Sequence, residues 1–351
     1  MLLFRVFSIP VRFFIALLIY FSWGPLAGGV VTAPVPEFSS PALIPYPSKV
    51  VRGAGEAGFR SVHVKVGSDV PGRDDLMKEI KDIFRTSGIQ GSLNSGGAAE
   101  GAMTWELFPD ARMKGEGYDL SVGLGKATVR AGSFGGFFNA LQTLRQLVFN
   151  REGEFAMPVV RISDKPAFVL RGIMLDVGRY YMSPALIKEV MRRLSRYKIN
   201  TLHLHLTDDP AWRLEVKKYP ALTDGAFHWK SRLPGRFYTQ AQLKDLTDYC
   251  ARLNIQVIPE IDMPGHSQPF ARAMKTGMQT EKGEHIRGKG KEVVVWSPGG
   301  PHDKDSVLMC WGENEAGARM DKNMKRIDSN GFYIDWADSQ SGVYQVFFQQ
   351  P

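Results

Sequence analysis

RGIMLDVGRYYMSPALIKEVMRRLSRYKINTLHLHLTDD, Arg171 to Asp209, is the stretch from which the fold of this 351-residue chain can be read. Arg171 to Val177 is apolar and strand-like. Ser183 can cap a helix whose first residue is Pro184, a position where the missing N–H costs nothing. Leu186, Val190, Leu194 and Tyr197 recur at helical spacing and predict that helix's inner face. Thr201 to Leu206 is a second strand, with Asp208 and Asp209 just past its end. A strand–helix–strand unit of this length implies parallel strands. Parallel α/β folds gather their active sites at the carboxyl ends of their strands. Asp176, Arg179, Asp208 and Asp209 all fall at such ends.

Downstream, Thr239 and Gln242 form a capping box for a helix with Leu243, Leu246 and Leu253 inward. Ile255 to Ile261 is a third strand, followed by Asp262-Met263-Pro264-Gly265-His266. Glu292 to Trp296, Val307 to Trp311 and Phe332 to Trp336 give three more. The pattern predicts an α/β fold over residues 166–351: a (β/α)8 barrel of the TIM type, incomplete. A full barrel takes about 250 residues, and the stretch from Phe168 to Pro351 falls well short of that. Between His266 and Glu292 no apolar run is fit for a buried strand, so the shortage is placed there. The chain also ends soon after the sixth strand.

Upstream, residues 40–165 read as a small α+β domain. Val62, Val64 and Val66 alternate as in a half-buried strand. Asp74 or Asp75 can cap a helix with Leu76, Ile80, Ile83 and Phe84 on one face. Gly91 to Gly101 is a small-residue loop. Tyr118 to Val122 and Ala127 to Ala131 form a hairpin, and Phe137 to Val148 a helix with Phe138, Leu141, Leu144 and Leu147 inward. Ile162 to Pro166 links the two parts. Residues 1 to about 30 read as a secretory signal peptide: Arg5 and Arg12, the apolar run Phe13 to Trp23, then small residues at Ala27-Gly28-Gly29. Export to a periplasm, cell surface or extracellular space is therefore expected, with no stable membrane insertion after cleavage.

Composition narrows the class. The chain is 44% hydrophobic and 23% charged, which is ordinary for a globular protein. Its net charge of +8 comes with no nucleic-acid-binding motif, so a dispersed basic surface is the better reading. Two cysteines, Cys250 in a predicted helix and Cys310 in a predicted strand, make neither a disulfide framework nor a metal pattern. His203 and His205 alternate on the second strand and read as barrel-core hydrogen-bonding groups without the ligand set of a metal site. Nothing calls for a cofactor, and the sequence leaves the oligomeric state open.

RGIMLDVGRYY, HLHLTDDPAWRLEVKKYPALT and PEIDMPGHSQP together resemble the family 20 glycoside hydrolases, the β-N-acetylhexosaminidases. GYDLSVGLGKATVRAGSFGGFFNALQTLRQL resembles the end of the non-catalytic domain that precedes their barrel. The resemblance implies substrate-assisted, retaining removal of terminal N-acetylhexosamine from glycans, in which the acetamido group is the nucleophile. An adjacent Asp-Glu pair at the end of the fourth strand would orient that group and supply the general acid. No Asp-Glu step occurs anywhere in these 351 residues. MKTGMQTEKG and HIRGKGKEVVVWSPG resemble the flanks of the missing segment, and their join falls near Gly283 to His285.

The remaining candidates are a supporting cast. By resemblance, Arg179 grips sugar hydroxyls, with a structural salt bridge as the alternative. Asp208 and His266 match the acid and the histidine that relay to the absent glutamate, with a turn hydrogen bond as the alternative. Trp296 and Trp311 end strands resembling the fifth and sixth and offer faces for sugar stacking. Tyr333 and Asp335 match a Tyr-x-Asp step that contacts the acetamido oxygen and the outer hydroxyls. Asp209 and Glu260 read as structural pairing. Whether another pair among Asp208, Glu260, Asp262, Glu313 and Asp335 could replace the lost acid depends on separations the sequence does not give. Three readings follow: a glycosidase of the hexosaminidase class with a substituted acid, a sugar-binding remnant that turns nothing over, or a misfolding fragment or truncated product of the gene for a longer enzyme.

Overall fold

The computed structural model describes residues 42–94, 98–151, 153–228, 231, 233–263 and 265–274, and the strands at 294–297, 307–310, 326–328 and 344–348. The leader-like residues 1–30 lie outside the described residues. So do Cys310's side chain and the predicted sixth strand, Phe332 to Trp336. No helix among the described residues is long and apolar enough to cross a membrane.

The first sheet is built from β1 (Lys49–Phe59), β2 (Ser61–Val66), β3 (Gln90–Leu93), β4 (Ala102–Pro109), β5 (Tyr118–Gly123), β6 (Lys126–Ala131), β7 (Phe149–Arg151) and β8 (Glu154–Asp164). Their order is β1-β8-β5-β6-β4-β2-β3, with β7 on β8. Two helices, α1 (Arg73–Ser87) and α2 (Phe134–Leu147), lie with this sheet. In β5 the alternation is complete: Tyr118, Leu120 and Val122 are buried while Asp119 and Ser121 face out. The long β1 and β8, and β4, are not foreseen from the sequence. β1 carries three glycines and an irregular register between Arg52 and Glu56, which hides its alternation.

Both helix starts differ from expectation. α1 is entered at Gly72, in the left-handed region at φ 69°, with no side-chain cap. Asp74 and Asp75 sit in its first turn instead, where acidic charge suits the helix dipole. α2 begins three residues early because Ser133 caps it, accepting from the Gly136 N–H at 3.1 Å.

The second sheet begins with β9 (Arg171–Asp176), α3 (Pro184–Ser195) and β10 (Thr201–His205). The short pair β11 (Thr207–Asp208) and β12 (Ala211–Trp212) follows, then α4 (Gln240–Ala251), β13 (Gln256–Glu260) and α5 (Gln268–Met274). β14 (Val294–Ser297), β15 (Val307–Cys310), β16 (Arg326–Asp328) and β17 (Tyr344–Phe348) complete it. The order is β13-β10-β9-β17-β16-β15-β14. β9, β10 and β13 are mutually parallel, as are β14, β15 and β16, while β17 runs antiparallel to β9 and β16. Among the described strands, β13 and β14 are the two edges, so the third and fourth predicted strands have no described strand between them. The class is α/β with a barrel-type sheet that is incomplete.

The caps at Ser183–Pro184 and at Thr239–Gln242 form as the sequence predicts. The predicted Val190 and Leu194 of α3 pack partly buried against the core, but the helix is turned from the rest of the predicted face. Ile187 and Met191 are buried, whereas Leu186 and Tyr197 are 48% and 51% exposed. Apolar residues occupy two neighbouring lines on this helix, and spacing alone does not choose between them. The observed rotation aims Arg192 at the α1 carboxylates Glu79, at 2.6 Å, and Asp82.

Candidate active site

Strand register builds the site. Asp176, His205 and Glu260 are aligned across β9, β10 and β13, each the last residue of its strand. Three carboxyl-end residues therefore form one row, with His205 between two acids.

Arg179 is fixed from behind. Its backbone N–H donates to Asp176 Oδ1 at 2.8 Å, and its guanidinium pairs with both Asp176 and Asp208, the latter at 2.9 Å. Asp176 and Asp208 are buried, but the Arg179 side chain is 43% exposed. Burial opposes its charge, and the two carboxylates more than compensate, raising the guanidinium pKa above its ordinary value. The result is a fork fixed by two carboxylates, on a side chain that stays partly open to solvent. Gly178 makes the approach possible: a Cβ there would lie 3.0 Å from Asp208 Cβ.

Asp208 is the hub. The two-residue ladder of β11 and β12 presents it, with Asp208 opposite Ala211. Its Oδ2 meets His205 Nε2 at 3.0 Å as well as Arg179, and its Oδ1 accepts from the Asp209 N–H at 2.6 Å. His266 Nδ1 lies 3.4 Å from Oδ1. Burial pushes the Asp208 carboxyl up, but His205, Arg179 and His266 together hold it below its usual value. His266 stands at φ 48°, a conformation that a non-glycine residue rarely adopts and that functional loops often hold. Its side chain is 45% exposed.

Glu260 Oε2 is 2.7 Å from His203 Nε2 and 2.8 Å from His205 Nδ1, and each contact is an ion pair when the ring is protonated. Burial opposes the Glu260 charge, but the two histidines drive its pKa far down. His205 is the counterpart: burial lowers it, yet Asp208 and Glu260 push it up to about 10. Asp262, the neighbouring carboxyl, is raised by burial and by the Glu260 charge. Its backbone N–H donates to Thr207 Oγ1 at 2.9 Å, tying the loop after β13 to the loop after β10.

Asp176, His205 and Asp208 also converge at cation-ligand spacing. Arg179 already balances both of those carboxylates, so a metal would have to displace a guanidinium held by two ion pairs. The chemistry on offer is instead a fixed cation, a buried ionised acid and an exposed histidine on that acid.

The structure thus brings Arg179, Asp208 and His266 into one cluster. Trp296 lies on β14, of whose side chains nothing is described, and Trp311, Tyr333, Asp335 and Glu313 lie outside the described residues. The sequence pattern assigns no role to His205 in this cluster. The missing signal is the adjacent parallel strand ending in Glu260, which becomes readable only with the β10–β13 register.

Residues 168–287 match the family description "Glycosyl hydrolase family 20, catalytic domain", and residues 40–165 match "Glycosyl hydrolase family 20, domain 2". The chain is 39% identical to a beta-hexosaminidase of Vibrio furnissii over 45% of this chain and 28% of that one. It is 35% identical to a beta-N-acetylhexosaminidase of Cellulomonas fimi over 54% of this chain and 38% of that one. The chain thus spans well under half the length of these curated relatives. In structure it resembles the Vibrio harveyi GH20 exo-beta-N-acetylglucosaminidase solved with N-acetylglucosamine. The TM-score is 0.69, the identity 22%, and the coverage 82% of this chain and 60% of that one. It also resembles a mutant Streptomyces plicatus beta-hexosaminidase solved with product GlcNAc. There the TM-score is 0.59, the identity 32%, and the coverage 66% of this chain and 48% of that one.

Proposed function

Because the chain belongs to glycosyl hydrolase family 20, we propose that it recognises the terminal N-acetylhexosamine of glycans and that the described half of its site does so without the family's acid. The observation that carries this reading is the Arg179 guanidinium, 43% exposed and held by two buried carboxylates at the strand ends. Such a fork is ordered before the ligand arrives, so it loses little freedom on meeting sugar hydroxyls. The N-acetylglucosamine held by the Vibrio harveyi relative supports the choice of sugar. The leader-like residues 1–30 support action on exported glycans.

Turnover is a separate matter. A general acid needs a proton to give near the working pH. Asp208 and Glu260 are both held ionised by their cationic neighbours, which makes them poor acids. Of the described acids in this cluster, Asp262 has its proton affinity raised. That favours a second, narrower reading in which Asp262 supplies a slow residual hydrolysis.

Calorimetric titration of the chain with N-acetylglucosamine tests recognition. Binding by the unaltered chain and a loss of roughly 10- to 100-fold in affinity for Arg179→Ala are expected, the range for charge-assisted hydrogen bonds. A folded chain that takes up no sugar at millimolar concentration would refute the proposal.

A further inference from the structure

We propose that His205 is a positioning residue of this site: an imidazolium clamped between Asp208 and Glu260 that fixes the Asp208 carboxylate for its exposed partners, Arg179 and His266. The argument is geometric. Nε2 lies 3.0 Å from Asp208 Oδ2 and Nδ1 lies 2.8 Å from Glu260 Oε2. A neutral ring carries one nitrogen lone pair, which would then stand within 3.0 Å of a carboxylate oxygen at either position. Protonation of both nitrogens is the arrangement that makes each contact attractive. The side chain is only 6% exposed, so water does little to screen the pairs.

The charge balance agrees. From β9 and its loop come Asp176 and Arg179, from β10 His203, and from the loop after β10 Asp208. β13 supplies Glu260, and the loop after it supplies Asp262 and His266. Asp176 and Asp208, which are buried, and the partly buried Glu260 are three acids against one guanidinium, and a charged His205 brings their surroundings nearer neutrality. Burial opposes that charge, and the flanking carboxylates overcome it, with a midpoint near 10.

His205 then works through Asp208. The ring holds Oδ2 beside Arg179 Nη2, while Oδ1 takes the Asp209 N–H at 2.6 Å and lies 3.4 Å from His266 Nδ1. A carboxylate fixed in this way keeps a constant partner beside the His266 ring, whose side chain is 45% exposed. The His205 and His266 rings meet edge-on, 5.9 Å apart between centroids, so the first also packs against the second. The inference rests on the sugar-site reading only for the roles given to Arg179 and His266.

The test is a ¹⁵N NMR titration of the ring nitrogens in the whole chain, with no sugar present. His205 should show two protonated nitrogens from pH 6 to pH 9. Glu260→Gln should lower its midpoint by at least about one unit, as expected from removing an adjacent unit charge. His205→Gln, which keeps one donor and loses the charge, should raise the Asp208 midpoint in a ¹³C carboxyl titration. A neutral His205 at pH 7 in the unaltered chain would overturn the proposal, whatever the variants do. So would an Asp208 midpoint unmoved in folded His205→Gln. Because neither readout uses sugar, failure of the recognition reading would appear separately in the calorimetric titration.

Discussion

A histidine between two carboxylates makes stability depend on pH in a defined direction. His205 holds its proton in the folded chain up to about 10, against 6.5 for a free ring. Its contribution is therefore complete below about 6.5 and is lost as the pH rises toward 10. Asp208 and Glu260 are depressed, so their contribution is present above the ordinary carboxylate range and is lost as the pH falls through it toward their folded values. Thermal melts should show a stability plateau between about pH 4.5 and 6.5 with a decline on both sides. His205→Gln should flatten the alkaline decline, and an unchanged alkaline limb in that variant would count against the charge assignment. At this scale the sequence was legible in part. Asp208, His266 and Arg179 stand out by motif, and the alternation of His203 with His205 predicted internal hydrogen bonding. Their partner Glu260 is 55 residues beyond His205, and the parallel register that joins them is a long-range fact no local pattern encodes.

At the scale of elements, the two helices of the βα repeat end alike. Lys198 after α3 and Asn254 after α4 both sit in the left-handed region, at φ 63° and 59°. The N–H of the next residue bonds back to the last helical turn in each case, Ile199 to Leu194 and Ile255 to Cys250. Each end delivers a polar side chain to the first sheet's domain. Lys198 Nζ pairs with Asp164 at 2.9 Å, and Asn254 donates to Glu116 at 2.8 Å. Glu116 also takes Arg171 at 2.5 Å, Asn139 at 3.2 Å and Asn200 at 3.2 Å. One carboxylate thus gathers groups from α2, β9 and the turns after α3 and α4. Glu116→Ala would leave Arg171 without its carboxylate partner, at a cost of roughly 3–5 kcal/mol. A melt lowered by several degrees, with the near-ultraviolet circular dichroism retained at low temperature, is the expected result. An unchanged melt would show that the network is not what joins the two sheets. Glu116 was invisible in the sequence because it lies in a Gly-Glu-Gly turn with no periodicity. The capping box at Thr239 and the Ser183–Pro184 start were readable because their chemistry is complete within four residues.

For the whole molecule, the question is what an incomplete barrel sheet can still do. The strands that build the row Asp176–His205–Glu260 are contiguous and parallel, and the domain before them is anchored by buried ion pairs. That half of the site is well supported. β13 and β14 remain as edges among the described strands, at the position where the sequence lacks an apolar run between His266 and Glu292. The sequence places the missing strand there from length and pattern, and residues 275–293 lie outside the described residues. The antiparallel β17 was not legible, since Tyr344 to Phe348 lies beyond the last predicted strand and pairs with β9, far away in sequence.

Release of the chromophore from an aryl N-acetyl-β-glucosaminide, measured with the unaltered chain and with Asp262→Asn, tests the central claim that recognition is retained while the acid is not. The account predicts that a sample which binds N-acetylglucosamine releases nothing above the blank, or only a slow trickle that Asp262→Asn abolishes. Vigorous hydrolysis that survives Asp262→Asn would contradict it, because an acid outside the described cluster would then be completing the site.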